Sequence, residues 1–277
     1  MILTDIVFIA PNNHSVTYQG LATAGLSAVE PPTWALLLGE SMRSKGYKVA
    51  IIDTLAEGLS DAELEVRVEN LQARLLCFVV YGQNVNAGTT SMGGAVRQAA
   101  CLKTKLPNSP IVLIGSHVQA LPFETMEKES SLDIVVLNEG VKALEALLAL
   151  DSFKPESLAT VPGIMFRSDG EIVAGRVPQF INQEALEWEL PGYAWDLLPY
   201  KSKPLDLYRS PTWHADYIDE FRVPYAAIQT SIGCQFKCEF CMINLINKND
   251  LAPQSTASDY AGMRYWSEEF VAREVEN

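Results

Sequence analysis

The sequence has little positive charge and no long apolar run. Lys and Arg number 21 against 34 Asp and Glu, a formal charge of −13. Clustered cations are what neutralise phosphate, so this balance excludes a general electrostatic grip on nucleic acid or anionic lipid. Apolar stretches such as Leu75 to Tyr81 and Ile111 to Ile114 fall well short of the ~20 residues that cross a bilayer. The N-terminus MILTDIVFIAPNN has an acid ahead of its apolar run, no basic region and no small-residue cleavage site. No membrane partner is expected, and the chain reads as cytoplasmic. A scattered, even set of cysteines is also lacking: of Cys77, Cys101, Cys234, Cys238 and Cys241, three fall within eight positions. That pattern excludes a secreted disulfide framework and suits metal ligands in a reducing compartment. What is present is a globular composition, 48% hydrophobic and 20% charged, enough for a sizeable core and, at 277 residues, for about two domains of ~100–200 residues each.

The first 150 residues alternate short β-rich runs with segments of helical period, the signature of βαβ units. Candidate strands are Asp5 to Ala10, Lys48 to Asp53, Leu75 to Tyr81, Ile111 to Gly115 and Ile134 to Leu137, apolar enough for burial on both faces. Candidate helices are Thr33 to Lys45, Asp61 to Arg74, Thr90 to Lys105, Leu121 to Glu129 and Val141 to Leu150. Pro31-Pro32 precedes the first and Gly46 closes it, while Asp61 is the expected N-cap of the second. The expected fold is α/β, a flavodoxin- or Rossmann-like doubly wound parallel sheet whose ligands sit at the carboxyl ends of the strands. Residues 151–223 change character: Ile164 to Val173 reads as a hairpin around Asp169-Gly170, followed by a stretch rich in Pro and carrying Trp188, Trp195 and Trp213. This is expected to be a connecting segment, its aromatics packing together. A second domain is expected over residues 224–277, where the apolar run Tyr225 to Ile228, read as a strand, leads into Gly233-Cys234 and a last helix starts near Ser267 with Glu268 and Glu269 in its first turn.

Cys234-x3-Cys238-x2-Cys241 is the sharpest signal, because a chain of this composition would hold such a spacing by chance about 0.002 times. Three thiolates from one loop can hold three irons of a four-iron cluster and leave the fourth open to substrate or cofactor. A structural zinc would need a fourth Cys or His, for which His214 is the nearest candidate. Cys77, in a strand, and Cys101, on a helix, read as small apolar packing residues.

The run from Gln229 through Gly233-Cys234-Gln235-Phe236-Lys237-Cys238-Glu239-Phe240-Cys241 resembles the cluster loop of radical S-adenosylmethionine enzymes, including the aromatic before the last cysteine. The resemblance implies a 4Fe–4S cluster on Cys234, Cys238 and Cys241, an open iron that chelates S-adenosylmethionine, and reductive cleavage to a 5′-deoxyadenosyl radical. Phe240 would help seat the adenine through its backbone. An electron donor such as flavodoxin or ferredoxin and a small-molecule substrate are the partners it implies. Met263 to Val271 resembles the start of the helix that follows this loop in the family, where an Arg precedes a Ser-Pro-Glu-like cap.

The first 150 residues resemble the cobalamin (B12)-binding domain that precedes the radical barrel in one large subclass, through Pro31-Pro32-Thr33-Trp34, Gly115-Ser116-His117 and Asn138-Glu139-Gly140. A corrin needs a flat apolar and hydrogen-bonding bed and a slot for its nucleotide tail. The expected contacts are Gly82, Gln83, Asn84, Gly115, Ser116, His117, Glu139 and Gly140. The Asp-x-His-x-x-Gly signature of a cobalt-ligating histidine is lacking, since Asn12, Gly115 and Thr212 stand two residues before His14, His117 and His214. His117 is therefore expected as a corrin or tail contact. The resemblance implies a cobalamin-dependent methyltransferase acting on an unactivated carbon or phosphorus centre; alternatives are a ring-contraction or cyclisation enzyme of the same build, a cobalamin-free radical enzyme, and a non-catalytic cobalamin module with a structural metal loop. From Tyr225 only 53 residues remain against ~250 for a full barrel, so the barrel is expected to be cut short.

Overall fold

The computed structural model describes residues 3–13, 29–81, 85–201, 208, 225–236, 238, 240–243 and 262–277. The apolar runs form β1 (Thr4–Ala10), β2 (Val49–Asp53), β3 (Ala73–Val80), β4 (Ile111–Gly115) and β5 (Ile134–Val136), paired in parallel in the order β2-β1-β3-β4-β5. Successive side chains point to opposite faces, so Ile6 and Phe8 enter one core and Val7 and Ile9 the other. This two-sided burial is why the strands read as continuous apolar runs, and the reversal of direction at β1 and β3 opens a crevice at their carboxyl ends.

The crossovers carry α1 (Thr33–Ser44), α2 (Asp61–Leu71), α3 (Met92–Lys105), α4 (Ser116–Ala120), α5 (Pro122–Lys128) and α6 (Val141–Ala149). Ser60, not the expected Asp61, caps α2: its hydroxyl accepts from Glu63 N at 3.3 Å while the Glu63 carboxylate accepts from Ser60 N at 2.8 Å. This reciprocal pair satisfies two orphan donors and leaves Asp61 in the first turn. The helix expected over Leu121 to Glu129 forms as α5, preceded by the short α4, and Pro122 opens it because a proline is accommodated only at a helix start.

Beyond α6, α7 (Pro155–Leu158) leads to the expected hairpin, β6 (Ile164–Ser168) and β7 (Glu171–Ala174), turning at Asp169-Gly170. The hairpin extends the sheet itself: β6 pairs antiparallel with β5, giving seven strands across residues 4–174. α8 (Leu186–Glu189) and the aromatic stretch after it then pack on the face covered by α1 and α6. Glu189 fastens them, pairing with Lys45 at 2.9 Å and with Lys142. Burial opposes its charge, but hydrogen bonds from Lys142 and Lys45 hold the carboxyl below the usual range. Trp195 stacks on Tyr193 with ring centroids 5.1 Å apart, whereas Trp188 is 80% exposed and Trp213 lies outside the described residues.

Tyr225 to Ile228, expected as a strand, makes no strand pairing among the described residues. The strand comes three residues later as β8 (Ser231–Ile232), which pairs antiparallel with β9 (Arg264–Tyr265) and so does not open a parallel βα unit among the described residues. α9 (Glu268–Glu276) begins as expected, with Ser267 Oγ accepting from Phe270 N at 3.1 Å and acids in the first turn. Trp266 and Phe270 join the core on the α1 face, so α9 packs on the same side of the seven-stranded sheet as α1. Among the described residues no helix is long and apolar enough to cross a membrane.

Candidate functional site

The carboxyl ends of β3, β4 and β5 form one edge, and glycine sets its shape. Gly115 lies in register with Val80, so close that a Cβ there would sit 2.2 Å from the Val80 carbonyl oxygen; a larger residue would part the two strands. Ser116, 2% exposed, packs beneath the turn at Gly88. His117 Nδ1 lies 3.0 Å from Thr89 Oγ1, a side-chain bond that orients the half-buried ring. Burial, with Lys128 adding to it, pushes the imidazole pKa below its ordinary value, so the ring stays neutral near pH 7.

The loop after β5 is pinned at every residue. Asn138 adopts a left-handed backbone, φ 64, which asparagine tolerates better than most residues. Its N–H donates to Gln119 Oε1 and its Oδ1 accepts from Glu139 N at 2.7 Å. Tyr81 OH donates to the Asn138 carbonyl and Trp34 Nε1 to the Glu139 carbonyl, each at 3.2 Å, and the two rings meet edge-on at 5.6 Å. Pro31-Pro32 thus starts a helix whose first aromatic holds the loop on the far side of the sheet. The Glu139 carboxylate is engaged within the protein: it accepts from Ile181 N at 3.2 Å and pairs with Arg264, both side chains 1% exposed. Burial pushes this carboxyl up and Arg264 pulls it down, the former prevailing. Gly140 opens α6 against Ile114. Gly82, Gln83 and Asn84 lie outside the described residues, as do His14 and His214.

The cysteine loop starts from β8. Gly233 has φ +92, and a Cβ there would meet the Gly262 carbonyl at 2.2 Å, so only glycine lets the chain leave β8 against the strand beside it. Phe236 N donates to Cys234 Sγ at 3.5 Å and Cys241 N to the Cys238 carbonyl at 3.1 Å, a turn that presents Phe240 at 84% exposure. No disulfide joins the cysteines, and among the described residues no three His, Cys, Asp or Glu are gathered in metal-holding geometry. The donor set nonetheless fits a thiophilic metal, with three accessible thiols on one short loop, since such sites close only around their ion. Cys77 is fully buried, and burial pushes its thiol up, consistent with a packing role.

Two pairings escape sequence reasoning. Arg264 reaches Glu139, and Tyr208 OH donates to Asp53 Oδ2 at 3.0 Å across a separation of 155 residues. Neither has a local pattern; each partner is supplied by topology.

Residues 21–148 match the family model of the B12 binding domain. Across 245 residues it is 27% identical to the uncharacterized methyltransferase PH0819 of Pyrococcus horikoshii, covering 88% of this chain and 46% of that protein. It is 27% identical over 150 residues to the cobalamin-dependent radical SAM methyltransferase TokK of Streptomyces tokunonensis, covering 53% of this chain and 19% of that protein. Its fold is similar to that of the radical S-adenosylmethionine methyltransferase TsrM from Kitasatospora setae, with a TM-score of 0.58 at 16% identity over 98% of this chain and 44% of that one. TsrM is also solved with cobalamin and a 4Fe–4S cluster bound. The chain spans less than half the length of these curated relatives.

Proposed function

We propose that this chain is the corrinoid-binding and cluster-loop part of a cobalamin-dependent radical S-adenosylmethionine enzyme that transfers a methyl group to an unactivated carbon or phosphorus centre. The observation that carries this reading is a juxtaposition: a Cys-x3-Cys-x2-Cys loop tied, through β8, β9 and Arg264, to the carboxyl edge of a B12 binding domain. When bound, the cluster and S-adenosylmethionine supply one-electron chemistry and the corrinoid supplies a methyl carrier.

Cys234, Cys238 and Cys241 would hold three irons, and the N–H that Phe236 directs at Cys234 Sγ would temper the charge on that sulfur. Phe240, projecting from the turn between the last two cysteines, would flank S-adenosylmethionine. Gly115, Ser116, the neutral His117 and Gly140 would bed the corrin, with Gly82, Gln83 and Asn84 completing it. Glu139 would contribute its backbone, its carboxylate being committed to Arg264. A small-molecule substrate and an electron donor such as flavodoxin or ferredoxin are the proposed partners.

The test is anaerobic reconstitution of the full chain with iron, sulfide and hydroxocobalamin. The expected product binds about four irons per chain and retains corrin absorbance. Replacing Cys234, Cys238 or Cys241 with Ala abolishes iron binding and leaves the corrin in place. Addition of S-adenosylmethionine and a low-potential reductant, followed by mass analysis for 5′-deoxyadenosine and S-adenosylhomocysteine, separates methyl transfer from rearrangement. One bound zinc with no corrin overturns the reading.

A further inference from the structure

Arg264 is among the largest fully buried side chains of the protein, and its burial is poorly compensated. Nη1 pairs with Glu139 and donates to the Ile181 carbonyl at 2.5 Å, and the Phe180 ring lies 5.6 Å from the guanidinium carbon. Among the described residues, Nε and Nη2 have no hydrogen-bond partner. A guanidinium cannot shed its proton, so two unsatisfied donors make this a costly group to bury, and an apolar pair of similar volume would serve stability at least as well. Nor is the charge needed to hold β9. Gln183 both donates to the Tyr265 carbonyl and accepts from Tyr265 N, each at 2.8 Å, and Trp266 Nε1 donates to the Leu190 carbonyl at 3.2 Å.

An apolar pair could not supply a directed link between two loops. Glu139 belongs to the loop after β5, at the edge that would receive the corrin. Arg264 is the register partner of Ile232, and Ile232 is followed by Gly233 and Cys234. One ion pair, one strand pairing and two peptide bonds therefore connect the corrin-facing loop to the first cysteine.

We infer that Arg264 and Glu139 are positioning residues that hold the cysteine loop in register with the corrin-facing loop, so that occupancy of the B12 binding domain is felt at Cys234, Cys238 and Cys241. The inference rests on the cobalamin reading above. The link is short and rigid at both ends: Trp34 fixes Glu139 from one side and the Gly233–Gly262 contact fixes Arg264's strand from the other. Ordering one end therefore orders the other, with no moving part between them.

The experiment measures iodoacetamide alkylation of the full reduced chain under anaerobic conditions, with and without hydroxocobalamin, each cysteine being followed by peptide mass spectrometry. In the wild type, hydroxocobalamin changes the alkylation rate of Cys234 about fivefold or more, the scale of coupling between linked sites, while Cys101 on α3 is unaffected. Arg264→Met leaves Glu139, which can neutralise by taking a proton, and should retain the corrin but reduce the change to less than about twofold. Arg264→Lys keeps the charge but cannot bridge Glu139 and the Ile181 carbonyl together, and falls between. An undiminished corrin effect in Arg264→Met, or in Arg264→Lys should the methionine variant not fold, overturns the inference. So does a wild type that binds corrin without any change at the cysteines. A wild type that binds no hydroxocobalamin overturns the cobalamin reading itself, and this inference with it.

Discussion

Asp53 should make the protein lose stability as pH rises towards neutrality. It ends β2 with 3% exposure, its Oδ1 accepting from Ala56 N and its Oδ2 from Tyr208 OH, each at 3.0 Å. Burial raises its pKa from 3.8 to about 6, an effect that the Ala56 and Tyr208 hydrogen bonds oppose without cancelling. The folded chain therefore holds the proton more tightly than the unfolded chain. Its favourable contribution is complete below the unfolded value and fades as pH climbs through the window from 3.8 to about 6. A tenfold difference in proton affinity between the folded and unfolded chain is worth about 1.4 kcal/mol, so roughly 2–3 kcal/mol is lost between about pH 4 and pH 7.5. Asp53→Asn keeps an oxygen for Ala56 N and cannot ionise. Urea unfolding of both proteins across that pH range, with the difference taken at each pH so that shared titrations cancel, should show the variant gaining about 2–3 kcal/mol on the wild type towards neutrality. A difference that is flat with pH, or that grows as pH falls, refutes the reasoning.

Gly115→Ala should cost about 1–3 kcal/mol, because the added Cβ meets the Val80 backbone and the strands must part; a thermal melt unchanged from the wild type would contradict the close approach. Glu139→Gln should cost about 3–5 kcal/mol by stranding a buried cation, and more than Arg264→Met, which leaves a carboxyl that can take up a proton and become neutral. Equal urea midpoints for these two variants would argue against that asymmetry.

Much of this architecture is legible in the sequence because it is governed by short-range physics. Residues alternate between faces along a strand, so the apolar runs at Asp5 to Ala10 or Leu75 to Tyr81 announce strands buried on both sides. Asp169-Gly170 announces a tight turn and Ser267 with Glu268 and Glu269 a helix start, since each acts on its own neighbours. The cysteine spacing is likewise a local signal, three residues within eight positions. Near misses such as Asp61 for Ser60, or Tyr225 to Ile228 for Ser231–Ile232, are local competitions decided by one hydrogen bond or one strand partner.

By itself, then, the sequence determined the strands, the turns, the cysteine loop and the likeness to a corrinoid domain. Only the tertiary structure decided that the hairpin of the connecting segment extends the parallel sheet, that Tyr208 closes over Asp53, and that Glu139 spends its charge on Arg264 near the end of the chain. The physical reason is range. Periodicity and turn chemistry act over a few residues, whereas a buried ion pair is defined by which distant loops the topology brings together and by the removal of water from between them.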